Sequence, residues 1–328
     1  MKAIKILTMA ALATAVFASC SSEDELAQSN YPADNVVRIM TSVDGMNTRA
    51  SYGNSTDKLK SFGFCIKNAN SEKYTYDNIK VSQKGYNWIS ATQMLWQNST
   101  TAVDILAYAP YQETTEDANG KVKVFGKTDY AFSVKEDQSN AEDYSSDLIV
   151  FKQTGFTPVL ELNTSKAVEV VFTHLLSQLN LIIELRDQFN TNNNTVTKGF
   201  VTDVKVNGTI ISSKVDFSAS PISVQVDGTQ TAAITPETTG FTPAENATAH
   251  AVFNYSAIVI PQTVAAGNFS ISFKVNNTEY IWTATDAVTF ESGKKHELHL
   301  LAGKDVVQGG AISAIPWGDE TITEKETD

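Results

Sequence analysis

The chain reads as an all-β protein built from sandwiches rather than from β–α–β units, and three observations lead there. Short apolar or alternating runs recur along nearly the whole length, turn-forming pairs separate them, and helical periodicity is almost absent. Period-two alternation or a brief apolar run occupies residues 36–41, 102–108, 168–172, 179–185, 201–206, 256–260, 269–275 and 296–301. Such patterns fit strands with one or both faces covered. Asn119-Gly120, Asn207-Gly208, Asp227-Gly228, Asn276-Asn277 and Ser292-Gly293 fall between runs, and these residue types enter tight turns at little steric cost. One short helical pattern covers residues 173–179, and a strand accounts for that segment as well. The Asn-rich stretch 190–194 reads as a surface loop.

Ahead of the first strand lie Lys2 and Lys5, an apolar stretch over residues 6–17, and then Ala18-Ser19-Cys20. Residues 1–19 thus read as a secretory signal, too short for a bilayer span of about 20 apolar residues. A cysteine straight after small residues resembles a bacterial lipobox, although Phe17 stands where Leu is commoner. That resemblance implies a thioether from the Cys20 thiol to diacylglycerol, with cleavage just before it. The acidic Glu23-Asp24-Glu25 resembles the signal that sends lipoproteins of some Gram-negative anaerobes to the outer face of the outer membrane. The other cysteine, Cys65, sits in the apolar Phe62-Gly63-Phe64-Cys65-Ile66. With Cys20 lipidated it has no disulfide partner, and a buried, inert thiol is expected.

Without residues 1–19 the chain keeps 309 residues (328 − 19), and its net charge moves from −12 to −14 as Lys2 and Lys5 leave. That length accommodates two domains. So acidic a chain with no basic cluster argues against binding nucleic acid or anionic lipid through charge. Residues 20–35 read as an acidic tether. Val103-Asp104-Ile105-Leu106-Ala107-Tyr108-Ala109-Pro110 is echoed by Tyr255-Ser256-Ala257-Ile258-Val259-Ile260-Pro261. The echo divides the rest into an N-terminal sandwich, 36–165, and a C-terminal one, 166–328, with the boundary near Ser165 set to about ten residues.

Several stretches, taken in order, resemble the fimbrillin family of type V pilins. They are Thr48-Arg49-Ala50; Trp96 leading into the run from Val103 to Pro110; Phe172-Thr173-His174-Leu175-Leu176-Ser177-Gln178-Leu179; Phe290-Glu291-Ser292-Gly293-Lys294-Lys295-His296-Glu297-Leu298; and Ile315-Pro316-Trp317. The resemblance implies two transthyretin-like Greek-key β-sandwich domains in tandem, in a building block of surface fimbriae. It also implies an outer-membrane lipoprotein precursor, anchored by lipid on Cys20 and cut between Arg49 and Ala50 by a trypsin-like protease. The cut leaves 279 residues (328 − 49) in extracellular fimbriae. The segment lost carries Val37, Ile39 and Met40. Its departure opens an apolar groove with unpaired backbone groups, which a strand of the next subunit can fill. Head-to-tail repetition of that contact gives a filament, so the implied partners are other fimbrial subunits. Ile312, Ala314, Ile315 and Trp317, set off by Gly309-Gly310, lie in a run that serves either as donor strand or as the last strand of its own domain.

The residues offer little for catalysis. Among four histidines, His296 and His299 are three apart and point to opposite faces of a strand, so they cannot share a metal. His174 is expected to be a hydrogen-bonded structural histidine. Ser292-Gly293-Lys294-Lys295 matches Ser-x-x-Lys without its partner motifs. No metal, cofactor or nucleic-acid site is expected. Carboxylate pairs such as Asp104 and Asp147 stay open, because their separation is set by the fold. A reading of another class also stays open: a permanently anchored glycan-binding lipoprotein, with Tyr52, Tyr86 or Trp88 stacking on sugar rings.

Overall fold

A computed structural model describes residues 30–43, 58–113, 124–190 and 196–317. Cys20, Arg49, Ala50, Tyr52, Asn119-Gly120 and the tail from Asp319 lie outside the described residues. The strands of the first half are β1 (Ile39–Val43), β2 (Ser61–Lys67), β3 (Tyr76–Lys84), β4 (Asn87–Ser90), β5 (Val103–Ala109), β6 (Tyr130–Ser133), β7 (Ile149–Phe156) and β8 (Val168–His174). A single helical turn, α1 (Pro158–Glu161), joins the last two. All of these strands except β6 form a seven-stranded sheet in the order β1-β8-β7-β5-β2-β3-β4. The sheet curls until β1 touches β4, and a bridge between Val36 and Leu95 closes that side.

The second half contributes β9 (Ser177–Leu185), β10 (Val201–Ile210), β11 (Ser212–Asp216), β12 (Ser223–Val226), β13 (Thr231–Ile234), β14 (Glu237–Thr242) and β15 (Ala251–Val259). After these come β16 (Gln262–Val264), β17 (Ser270–Val275), β18 (Thr278–Thr283), β19 (Val288–Phe290), β20 (Lys294–Ala302), β21 (Val307–Gly309) and β22 (Ser313–Pro316). A sheet in the order β14-β15-β9-β20-β21, with β22 also on β20, faces the four-stranded β13-β10-β17-β18. Leu179, Leu181, Ile183 and Leu185 from β9 meet Val206, Ile271 and Phe273 in one core. The fold is an all-β sandwich.

The central strands show why the sequence reads as it does. In β5, Ile105 and Ala107 face a core enclosed by the curled sheet with Phe62, Phe64 and Phe172. Leu106 and Tyr108 face the other way, into the core shared with the second half. A strand buried on both faces has no polar alternation to show. Tyr108 reaches so close to β2 that a Cβ on Gly63 would lie 2.2 Å from its ring. Asn276 and Asn277 take positive φ (47° and 68°) in a two-residue hairpin between β17 and β18.

Two segments differ from the sequence reading. Asn207-Gly208 is not a turn but a bulge within β10, where the register to β13 shifts between Val206 and Thr209. Gly208 is required there, since a Cβ would stand 2.0 Å from the Asn268 carbonyl oxygen. The stretch 173–179 is the end of β8 and the start of β9, not a helix. β8 pairs with β7 and with β1, and Leu175-Leu176 lead from it into β9. β6 crosses in the opposite sense, pairing with β11 (Phe132 opposite Ser213).

Candidate functional site

The two ends of the described chain lie along sheet edges, and each is seated differently. Residues 35–43 form the N-terminal one. β1 runs parallel to β8, with Ile39 opposite Val168 and Val43 opposite Phe172. On the other side, the Val37 N–H donates to the Met94 carbonyl (3.0 Å) and the Trp96 N–H donates to that of Asn35 (2.8 Å). Val37, Ile39 and Val43 point inward and are 6%, 8% and 4% exposed. Met40, grouped with Val37 and Ile39 from sequence, is 46% exposed. Strand alternation turns it outward, where its Sδ accepts from Asn163 Nδ2 at 3.3 Å. Residues 30–35 of the expected tether also touch the body: Pro32 is buried, and Asn30 Nδ2 donates to the Leu162 carbonyl (3.0 Å). The Arg38 guanidinium bonds both oxygens of Asp34 and holds its carboxyl at about 2.

The C-terminal end runs along β20. β21 pairs with residues 300–302 and β22 with residues 294–297, so the run lies on its own subunit. Ile315 faces Lys295, and Ala314 faces His296. The four apolar residues named from sequence therefore divide between two faces. Ile312 and Ala314 share one by period two, and Ile312 packs on the second-half core. Trp317, just past β22, is buried and stacks on His174, rings 4.0 Å apart and 3° from parallel. His174 Nδ1 meets Asp147 Oδ1 at 3.0 Å, both side chains fully buried.

The remaining candidates are structural in their surroundings. Cys65 is buried, and burial pushes its thiol well above the ordinary value, with Asp77 adding to the effect. Asp104 accepts from the Gly155 N–H (2.9 Å), while Asp147 is engaged with His174. Trp88 packs edge-on against Phe62 (5.1 Å), whereas Tyr86 is fully exposed. His296 is buried and its Nε2 accepts from the Glu291 N–H (3.2 Å). His299 lies on the outer face, as alternation requires, with Nε2 2.6 Å from Glu184 Oε2. Glu184 Oε1 meets His250 Nδ1. Sequence reasoning missed this His–Glu–His row, since its members come from β20, β9 and the residue before β15. Among the described residues, no group of three or more His, Cys, Asp or Glu is placed to hold a metal ion. A cleft of about 780 Å³ is lined by Lys152, His174, Pro221, Ile222, Ser292 and Gly293. Lys152 Nζ already donates to the carbonyls of Phe217, Ser218 and Ala219, and desolvation lowers its pKa.

Comparison with known proteins fits this geometry into a wider group. No curated protein matches the chain. Solved structures share the fold. A candidate cell adhesion protein from Bacteroides ovatus has 14% identity and a TM-score of 0.60, over 88% of this chain and 100% of that one. One from Bacteroides uniformis has 17% identity and a TM-score of 0.55 (87% and 100% covered). A fimbrial protein from Bacteroides vulgatus has 18% identity and a TM-score of 0.52 (86% and 99%). At these identities the likeness is one of fold. A sequence model of the fimbrillin-like family matches residues 48–317, from the segment holding Arg49 to the stacked Trp317. The chain therefore belongs to the fimbrillin-like family.

Proposed function

We propose that this chain is the lipoprotein precursor of a stalk or tip subunit of type V fimbriae. It reaches the outer face of the outer membrane with lipid on Cys20, is cut between Arg49 and Ala50 by a trypsin-like protease, and polymerises by strand exchange. The observation that carries this reading is the seat of β1. It is an edge strand lying ahead of Arg49, and it fills a groove between β8 and residues 94–96 with Val37, Ile39 and Val43. A cut after Arg49 separates that strand covalently from everything it packs against. The emptied groove keeps β8 with an unpaired backbone edge and Val168, Val170 and Phe172 beneath it, a surface that favours another strand. Its occupant would be the C-terminal run of a neighbouring subunit, repeated head to tail.

The test is the Arg49→Ala variant, followed by intact mass and N-terminal sequencing of the surface protein. The expected result is a folded, lipid-bearing precursor starting at Cys20 and no filaments, against a wild-type chain starting at Ala50. Wild-type amounts of filament from the variant would refute the cleavage step.

A further inference from the structure

The C-terminal run buries little of itself. Ser313, Ala314 and Pro316 are exposed, and Ile312 and Ile315 only half-buried. Pro316 occupies the last pair of the ladder, opposite Lys294, and has no N–H to donate. Gly309 and Gly310 precede the run, the first closing β21 and the second donating its N–H to the His299 carbonyl (3.0 Å). A short edge strand with these properties opens readily by itself. Trp317 is built in differently. Its indole lies flat on His174, the residue is 4% exposed, and its backbone N–H donates to the Gly293 carbonyl (3.3 Å).

The surface beneath the indole is tied down by hydrogen bonds. His174 ends β8 and is held by Asp147 at 3.0 Å, while the Leu175 N–H donates to the Leu148 carbonyl (2.9 Å). The turn under Trp317 is tied to the passage between the halves. There Ser292 Oγ donates to the Leu175 carbonyl (2.6 Å), and the Gly293 N–H to that of Leu176 (2.9 Å). We propose that Trp317 latches the C-terminal run onto β20, with the His174 ring, oriented by Asp147, as its seat. Opening of the run is then a local event governed by this one stack. The latch belongs to the unassembled chain; only its meaning for assembly rests on the reading of the run as a donor strand.

Amide hydrogen exchange on the full, unassembled chain tests it. In Trp317→Ala, the amides of β22, and those of residues 294–297 that bond to it rather than to β9, should exchange about 100-fold faster, the range that loss of a buried aromatic contact allows. Those of β9 and β15 should keep wild-type protection. Trp317→Phe retains a ring over His174 and should recover most of the protection. Unchanged exchange of β22 in Trp317→Ala would overturn the latch. Equal loss of protection across β9 and β15 would overturn it too, making Trp317 a general core residue. No filament enters this measurement, so its failure is separate from failure of strand exchange.

Discussion

A chain that begins at Ala50 should be close to unfolding on its own. It lacks Val37, Ile39 and Val43, all buried in the core of the curled sheet. At roughly 1.5–3 kcal/mol for each large apolar side chain, that is about 4.5–9 kcal/mol, an upper estimate because the unfolded chain is partly compact. The parallel ladder to β8 and the bonds to Met94 and from Trp96 are lost as well. Domain stabilities are ~5–15 kcal/mol, so the loss is comparable to the whole. Thermal unfolding and sizing of the full chain and of the chain from Ala50 would measure it. At about 2–4 °C per kcal/mol, the shortened chain should melt lower by ten degrees or more, or else self-associate. A synthetic peptide of residues 30–43 should restore the lost stability. A shortened chain that stays monomeric and melts with the full one would refute the idea that β1 fills a costly groove. Met40→Ala in the full chain is the control: with its side chain outward, it should change stability by no more than about 0.5 kcal/mol.

Two further substitutions address the core. Gly63→Ala puts a methyl 2.2 Å from Tyr108 Cε1, and the Tyr108 hydroxyl is held by Asn78 Oδ1 at 2.7 Å. The clash should cost about 1–3 kcal/mol in denaturant unfolding, and a wild-type midpoint would show that the ring moves freely. His296 is held neutral, its pKa lowered from 6.5 mainly by burial. The unfolded chain therefore takes up a proton at a higher pH than the folded one. The stability from keeping this imidazole neutral is complete above pH 6.5 and falls as the pH drops below it. Replacing His296 with Gln should flatten that part of the stability profile, and an unchanged slope would assign it to other groups.

What could be read from the sequence was local. The double burial of β5 shows as an unbroken apolar run, and Asn276-Asn277 announces a hairpin because both residues tolerate positive φ. Asn207-Gly208 carries the same signal for another reason: the approach of Asn268 requires glycine inside a strand. Pairings between distant segments leave no such mark. Nothing near Ile39 encodes a parallel partner at Val168, and nothing in β6 points to β11. The apolar residues Val37, Ile39 and Met40 do not by themselves fix which way each side chain points; in the fold Met40 faces outward, and Val43, just beyond the run, completes the inward set. The stack of Trp317 on His174 joins residues 143 positions apart (317 − 174). The sequence marks His174 as structural and Trp317 as part of the C-terminal run, but only the fold brings them together.

The two seats differ in what is needed to empty them. β1 is fixed along its length by a five-residue ladder, inward side chains and bonds on both flanks. No single contact releases it, and its spontaneous departure would cost about as much as unfolding the domain. A covalent cut makes the departure irreversible, because the freed strand is then diluted and the groove can be refilled by another. The C-terminal run has one buried residue at its tip and a ladder ending in proline. On the latch proposal it leaves and returns without a cut. Under the proposed strand exchange, a chain arranged this way stays closed until proteolysis opens its groove, yet holds a segment that can move into a neighbour's. If the proposed strand exchange holds, assembly starts when the N-terminal strand is removed, and its rate depends on how often Trp317 lifts from His174.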